Sequence, residues 1–411
     1  MKTTRRAFLT TAAASAVVIP GARGARAAAW QRDRDTAAKE RLFRDDIATP
    51  ALLLDLDAFE WNVAKMAAVL KERGRGFRPH GKTHKCPEVA KALIKAGAAG
   101  ACAAKLSEAE VFAAHGIPGL LVTTAVIGKR KIERAVTLAA KSRDIVFSVD
   151  DGQNARDLND AAAAFKGRPP LRLNLAIDLL IGGRTGVEPG EPALELARVI
   201  ASLPHVRLAG LQAYDGSASH TIGFDARKTR SLESMGRAVE TRRLLKRNGI
   251  ECPFVSGGST GTYNIDSDVE GVTELQPGSF MFMDLDYNRI GGQDGEVYQD
   301  FRNALTVVTT VVSRRPDVAI VDGGYKAFST DRPFRPQAKD PALAEVPFAW
   351  GGDEHGRLDL TKAQRDVKLG DRLEFIVPHC DPSVNLYDAI YGLRGDRVES
   401  VWRIAARGMS Q

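Results

Sequence analysis

Between residues 77 and 279 the chain alternates short apolar or β-branched runs with stretches of helical periodicity. That alternation limits the possible folds more than any other feature. Strands are expected at 77–80, 101–106, 119–124, 144–150, 172–178, 208–214, 254–258 and 274–279. Helices are expected between them at 88–96, 108–115, 129–141, 153–165, 192–203 and 225–248. A helix over 57–73, capped by Asp57 and carrying Phe59, Val63, Met66 and Leu70 at helical spacing, precedes the first unit. About eight βα units in roughly 200 residues is what an α/β chain closing into a (β/α)8 TIM-type barrel requires. An open doubly wound sheet is the alternative compatible with the same alternation.

After Phe280 the texture changes. The stretches 304–314, 318–321, 371–380 and 397–406 are alternating and rich in β-branched residues, and helical periodicity fades. They predict a separate C-terminal antiparallel β-domain. The buried-looking run Ala51-Leu52-Leu53-Leu54-Asp55, set off by Thr49-Pro50, is expected to add a strand to it. The predicted organisation is an export signal at 1–29, an arm and strand at 30–56, a barrel at 57–285 and the β-domain at 286–411. A chain of 411 residues has room for both cores.

The formal charge of +7 would suggest an anionic macromolecular partner. The leader accounts for most of it. Thr4-Arg5-Arg6-Ala7-Phe8-Leu9 is a twin-arginine pattern, an apolar stretch follows to Pro20, and Ala25-Arg26-Ala27 offers a small-x-small cleavage site. Removing Lys2, Arg5, Arg6, Arg23 and Arg26 takes five charges from +7 and leaves +2. Nucleic-acid binding then loses its electrostatic support. The apolar stretch is too short for a membrane anchor, so the mature form is expected in the periplasm or secreted, with no membrane association. Cys86, Cys102, Cys252 and Cys380 have no metal-ligand spacing.

In a barrel the chemistry sits at the C-terminal ends of the strands. Those ends carry Lys82, Lys105, Asp178, Arg184, Tyr214, His220, the run Ser256-Gly257-Gly258-Ser259-Thr260-Gly261-Thr262, and Gly278-Ser279. Lys82 lies in Phe77-Arg78-Pro79-His80-Gly81-Lys82-Thr83-His84-Lys85. Neighbouring cations lower an amine's pKa and keep it nucleophilic, which suits a Schiff-base lysine; a solvated basic loop is the alternative. The Gly/Ser/Thr run follows the seventh strand, where barrel phosphate sites recur, and its small residues let N–H and hydroxyl groups converge on an anion. Alone it reads equally as a plain turn. Together with a strand-end lysine and the Gly182-Gly183-Arg184 loop it points to pyridoxal 5'-phosphate. His379 and Asp381 follow the apolar run Phe375-Ile376-Val377. As alternate strand residues they would share a face and offer a divalent metal an imidazole and a carboxylate, with Cys380 pointing away. Ordinary hydrogen bonding explains most such pairs.

The chain resembles the D-threonine aldolase/D-serine dehydratase family, which has the alanine-racemase-like (fold type III) barrel. The resemblance rests on Arg78 through Lys85, on Asp178 through Gly186, and on Gln212-Ala213-Tyr214-Asp215-Gly216. It extends to Ser256 through Thr262, Gly352-Asp353-Glu354-His355-Gly356 and Pro378-His379-Cys380-Asp381-Pro382. It implies that Lys82 carries the cofactor and that Arg184 lies against the pyridine nitrogen. Tyr214 would pack beside the cofactor, with Ser256 to Thr262, Gly278 and Ser279 holding its phosphate. His379 and Asp381 would bind Mn²⁺, Mg²⁺ or Zn²⁺, metal-bound hydroxide or His220 would serve as base, and Asp353, Glu354 and His355 would shape the substrate end. In the resembled family, aspartate two residues after the histidine goes with aldolases and cysteine with dehydratases. Asp381 therefore implies cleavage of a small β-hydroxy-D-amino acid, D-threonine giving glycine and acetaldehyde. A D-serine or D-threo-3-hydroxyaspartate dehydratase using the same site is the alternative; a racemase or a non-catalytic cofactor-binding protein is more remote. The resemblance leaves open a head-to-tail homodimer, as in racemases of this fold.

Overall fold

The structure is a computed structural model describing Arg34 and residues 42–411; the expected leader lies outside the described residues. Eight parallel strands form one sheet: β2 (Gly76–Phe77), β3 (Cys102–Ala103), β4 (Leu121–Val122), β5 (Val146–Val149), β6 (Leu173–Asp178), β7 (Val206–Ala213), β8 (Phe254–Gly257) and β9 (Glu274–Leu275). Their order is β2-β9-β8-β7-β6-β5-β4-β3. A parallel bridge between His80 and Cys102 joins the two ends of that order, with the Gly81 N–H on the Cys102 carbonyl at 2.7 Å. The sheet thus curls round on itself as a TIM-like barrel, not an open doubly wound sheet. Strands buried on both faces need continuous apolar runs, and β6 is buried at all six positions. Arg78 clamps β2 to its neighbour β9 with a bidentate pair to Glu274, 2.9 and 3.0 Å.

Helices fill the connections, the longest being Phe224–Arg247. Asp151 caps Gly152–Ala163 by accepting the N–H groups of Gln153 and Asn154. The first helix, Leu56–Glu72, is capped by Asp55 and not by Asp57 as expected. The chain passes from β1 (Ala51–Asp55) into this helix without a connecting residue, which puts Asp55 at the junction.

The second sheet contains β1 with β10 (Leu305–Arg315), β11 (Val318–Val321), β12 (Gln337–Ala338), β13 (Phe348–Trp350), β14 (Gly356–Asp359), β15 (Arg372–Ile376), β16 (Ala389–Arg394) and β17 (Arg397–Arg403). All its pairs are antiparallel except β1 with β16. Alternation along β1 sends Leu52 and Leu54 into the core shared with the barrel, and Ala51 and Leu53 into a second cluster with Val308, Val398 and Val401. Each buried leucine is worth about 1.5–3 kcal/mol, so this strand fastens the two sheets together.

The contact that matters for the site follows β15. The Leu285 and Asp286 N–H groups donate to the carbonyls of Val377 and Pro378, and Cys380 N–H donates to Asp284 at 2.8 Å. These bonds seat residues 377–381 on the segment that follows the last barrel strand. All four cysteines are free thiols. Among the described residues no helix is long and apolar enough to cross a membrane.

Candidate active site

Lys82 lies just beyond β2, on the turn started by His80. The Lys82 N–H donates to His80 Nδ1 at 3.3 Å, and His80 Nε2 faces the Thr123 hydroxyl at 3.3 Å. With Nδ1 accepting, Nε2 carries the proton. Burial, reinforced by Lys82 and Arg184, pushes the His80 pKa well below the usual histidine value, so the ring is neutral. His84 is neutral as well. Burial takes it down to about 4, and its Nδ1 accepts the Cys86 N–H at 3.0 Å.

Lys82 Nζ and Arg184 Cζ lie 5.6 and 5.7 Å from the Tyr214 ring centre, so one phenol spans both cations. The expectation that cations would depress the lysine is reversed. Burial pulls the ammonium down, but Tyr214 and Asp381 outweigh it and leave the pKa above the ordinary lysine value. The sequence did not reveal that the Asp381 carboxylate faces this amine.

Two adjoining cavities share His80, Lys82, Tyr214 and Gln276. The larger, about 300 Å³, is also lined by Lys105, Thr123, Thr124, Arg184, Thr185 and Gln212. The narrower, about 40 Å³, reaches Ser259, Gly278, Ser279, His220, Tyr287, His379 and Asp381. A more spacious hollow between the helices Leu106–Ala114 and Lys129–Lys141, about 740 Å³, carries no lysine–histidine–carboxylate convergence of this kind.

The 256–262 run is a built loop. Gly258 has φ +66°, which favours glycine, and a side chain there would strike Asp266. The Ser259 N–H and hydroxyl meet the Thr262 hydroxyl at 3.1 and 3.0 Å, and the Thr262 hydroxyl donates to Asp266. The Thr260 hydroxyl accepts from Phe280 N–H at 3.0 Å, tying the loop to the Gly278-Ser279 turn. A Cβ on Gly278 would sit 2.6 Å from the Thr83 hydroxyl. The N–H groups of Thr260, Gly261, Gly278 and Ser279 find no acceptor among the described residues. Unpaired N–H groups beside small side chains are what an anion requires, so the residues fit a 5'-phosphate. Ser256 and Gly257 lie deeper, Ser256 accepting from Gln276 at 2.9 Å and Gly257 packed on the Ala213 carbonyl.

His379 and Asp381 do line one cavity, but not as alternate strand residues. β15 ends at Ile376, and Asp381 lies in the short helix Cys380–Val384 with His379 at its N-cap. His379 Nδ1 donates to Asp331 at 2.7 Å, which leaves Nε2 free to accept. Burial works against the Asp381 carboxylate, but Lys82 and His379 hold it below the usual range and ionised. An oriented imidazole and an ionised carboxylate fit a divalent cation. Among the described residues no cluster of three or more such donors occurs.

A charged chain borders this end. His220 Nδ1 lies 3.1 Å from Asp286, Arg332 bridges Asp286 at 2.9 Å and Asp331 at 3.1 Å, and Asp331 holds His379. The His220–Asp286 pair is close but poorly aligned for a hydrogen bond. Asp178 is buried beneath the Arg184 loop, accepting from Thr185 and Gln212 at 2.8 and 3.0 Å. Asp353 and His355 are exposed near the β13–β14 turn and line neither cavity, and Asp353 faces Lys326 at 3.7 Å. Gln276, Thr123, Tyr287, Asp286, Asp331 and Arg332 were not anticipated. Gln276 and Thr123 carried a usable signal, since each extends a barrel strand, β9 and β4.

Two family models match the chain: alanine racemase, N-terminal domain, over residues 54–286, and a putative serine dehydratase domain over 304–393. 3-Hydroxy-D-aspartate aldolase of Paracoccus denitrificans (strain Pd 1222) is 37% identical over 387 residues, covering 91% of this chain and 96% of that protein. D-threo-3-hydroxyaspartate dehydratase of Delftia sp. (strain HT23) is 30% identical over 377 residues, covering 86% and 96%. The crystal structure of D-threonine aldolase from Filomicrobium marinum superposes with a TM-score of 0.83 at 37% identity, covering 89% of this chain and 98% of that one.

Proposed function

Because the chain belongs to the alanine racemase N-terminal domain family, among its pyridoxal-phosphate lyases of D-threonine aldolase type, we propose that it splits the Cα–Cβ bond of β-hydroxy-D-amino acids, releasing glycine and an aldehyde. The observation that carries this reading is the convergence of Lys82, His379 and Asp381 on one narrow cavity.

When bound, pyridoxal phosphate supplies an aldehyde that condenses with amines and a ring that draws electrons from the breaking bond. Lys82 provides the amine, and the neutral His80 holds the Lys82 backbone in place. Arg184, 5.7 Å from the Tyr214 ring centre, would meet the pyridine nitrogen; Ser259, Gly278 and Ser279 would hold the phosphate. His379 and Asp381 would hold Mn²⁺, Mg²⁺ or Zn²⁺, a Lewis acid for the substrate's β-hydroxyl. His220, beside Asp286 and against Tyr287 at 4.7 Å, would take the hydroxyl proton. Asp353 and His355 lie outside the cavity, so nothing in it supports a substrate role for them. The leader at 1–29 supports export to the periplasm.

Incubating the purified protein with D-threonine and D-serine, with Mn²⁺ or with EDTA, tests the reading. Glycine and acetaldehyde, lost with EDTA, are expected. Formation of 2-oxo acids and ammonia would install the dehydratase reading, and turnover indifferent to EDTA would remove the metal.

A further inference from the structure

Behind the 256–262 loop lies an arginine that reaches neither cavity. Arg227, on the helix Phe224–Arg247, is 0% exposed. Its guanidinium donates to four backbone carbonyls: Gly261 at 2.8 Å, Thr221 at 3.0 Å, Ile290 at 2.9 Å and Gly291 at 2.8 Å. Among the described residues no carboxylate hydrogen-bonds to it. Asp300, whose charge it feels, instead accepts the Tyr263 hydroxyl at 3.1 Å. Burying a cation without a bonded counter-ion is costly, so its presence here calls for an anion elsewhere.

The geometry shows where that anion would sit. Tyr298, whose ring lies 5.8 Å from Arg227 Cζ, donates its hydroxyl to the Thr260 carbonyl at 2.6 Å. Two successive carbonyls, Thr260 and Gly261, are therefore pinned from behind. In a planar trans peptide the carbonyl and the following N–H point in opposite directions. Pinning these carbonyls turns the Gly261 and Thr262 N–H groups away from Arg227. The Gly261 N–H has no acceptor among the described residues, and that of Thr262 reaches only Ser259 O at 3.4 Å. The loop has no slack, because a Cβ on Gly261 would lie 2.2 Å from the Ser219 carbonyl.

We infer that Arg227 is a positioning residue for the cofactor's 5'-phosphate, presetting the Gly261 N–H and its neighbouring peptide in the 259–262 loop and placing an unpaired buried positive charge behind them. The inference rests on the proposed pyridoxal-phosphate lyase reading. Apoprotein of the full chain, wild type and the variants Arg227→Met, Arg227→Lys and Tyr298→Phe, is titrated with pyridoxal phosphate and with pyridoxal, which lacks the phosphate. Binding is followed by the absorbance of the lysine-bound aldehyde. Loss of charge-assisted bonds of this kind predicts about 10- to 100-fold weaker pyridoxal phosphate binding in Arg227→Met, a smaller loss in Arg227→Lys and Tyr298→Phe, and pyridoxal affinity within about twofold of wild type. Inorganic phosphate should raise the melting temperature of wild-type apoprotein and not that of Arg227→Met. If Arg227→Met does not fold, the other two variants decide by the same comparison. Equal losses for both aldehydes, or no loss in a folded variant, would overturn the inference. A wild-type protein that binds neither aldehyde would instead overturn the lyase reading.

Discussion

Replacing Asp331 with asparagine should weaken divalent-cation binding without unfolding the protein. Asp331 lies 2.7 Å from His379 Nδ1 and 3.1 Å from Arg332. A carboxylate only accepts, so it keeps the imidazole proton on Nδ1 and leaves the Nε2 lone pair for a cation. An asparagine amide can donate to Nδ1 instead, which moves the proton to Nε2 and blocks it. Disturbing a histidine's orienting partner typically costs about 10- to 100-fold in metal affinity, or about 1.4–2.7 kcal/mol. The Asp331 side chain is 37% exposed, so its ion pairs add less than about 1 kcal/mol to folding. Mn²⁺ titration followed by electron paramagnetic resonance, beside a thermal melt, measures both quantities. A variant that melts like wild type and binds Mn²⁺ equally well would refute the reasoning, because His379 would then not be the ligand or Asp331 not its orienter.

Asp266 is wholly buried, bonded to the Ser231 and Thr262 hydroxyls, and burial pushes its carboxyl up to about 7. The unfolded chain ionises there near pH 4, so the contribution of Asp266 to stability should fall as pH rises from about 4 to about 7, by roughly 4 kcal/mol at most, against the opposite trend from the buried neutral His80 and His84. In urea titrations across the window the stability of wild type relative to Asp266→Asn should therefore fall as pH rises; a difference that stays constant would refute it. Glu108 pairs with buried Lys85 and accepts the Ala104 N–H at 2.7 Å. Glu108→Gln leaves that ammonium without its counter-ion and should cost about 3–5 kcal/mol by chemical denaturation; a loss below about 1 kcal/mol would show the pair to be dispensable.

The barrel was legible because each of its strands is a local apolar run and each strand end announces itself in the sequence. Lys82, Arg184, Tyr214 and Gly278 could be placed at its mouth on that basis alone. The β-domain was less legible. β12, β13 and β14 are short, with pairing set by partners elsewhere in the chain, and the parallel β1–β16 pair joins residues more than 330 positions apart. The pairing of His379 with Asp381 was anticipated for the wrong local reason. Strand alternation stops at Ile376, and Asp284 and Ser329 hold the backbone N–H groups that start the helical turn. The raised pKa of Lys82 was hidden for a related cause. The sequence displays the cations beside the lysine, whereas the Tyr214 phenol and the Asp381 carboxylate that outweigh them come from 132 and 299 residues away. Asp331, Arg332 and Asp286 carry no motif at all, and their roles arise only where the two sheets meet.

Borohydride reduction of the protein loaded with pyridoxal phosphate, followed by peptide mass mapping, tests most directly whether Lys82 is the amine on which the chemistry depends. The predicted result is a phosphopyridoxyl adduct on Lys82, abolished by Lys82→Ala. The adduct on Lys105 or another lysine, or an adduct that survives that substitution, would contradict it.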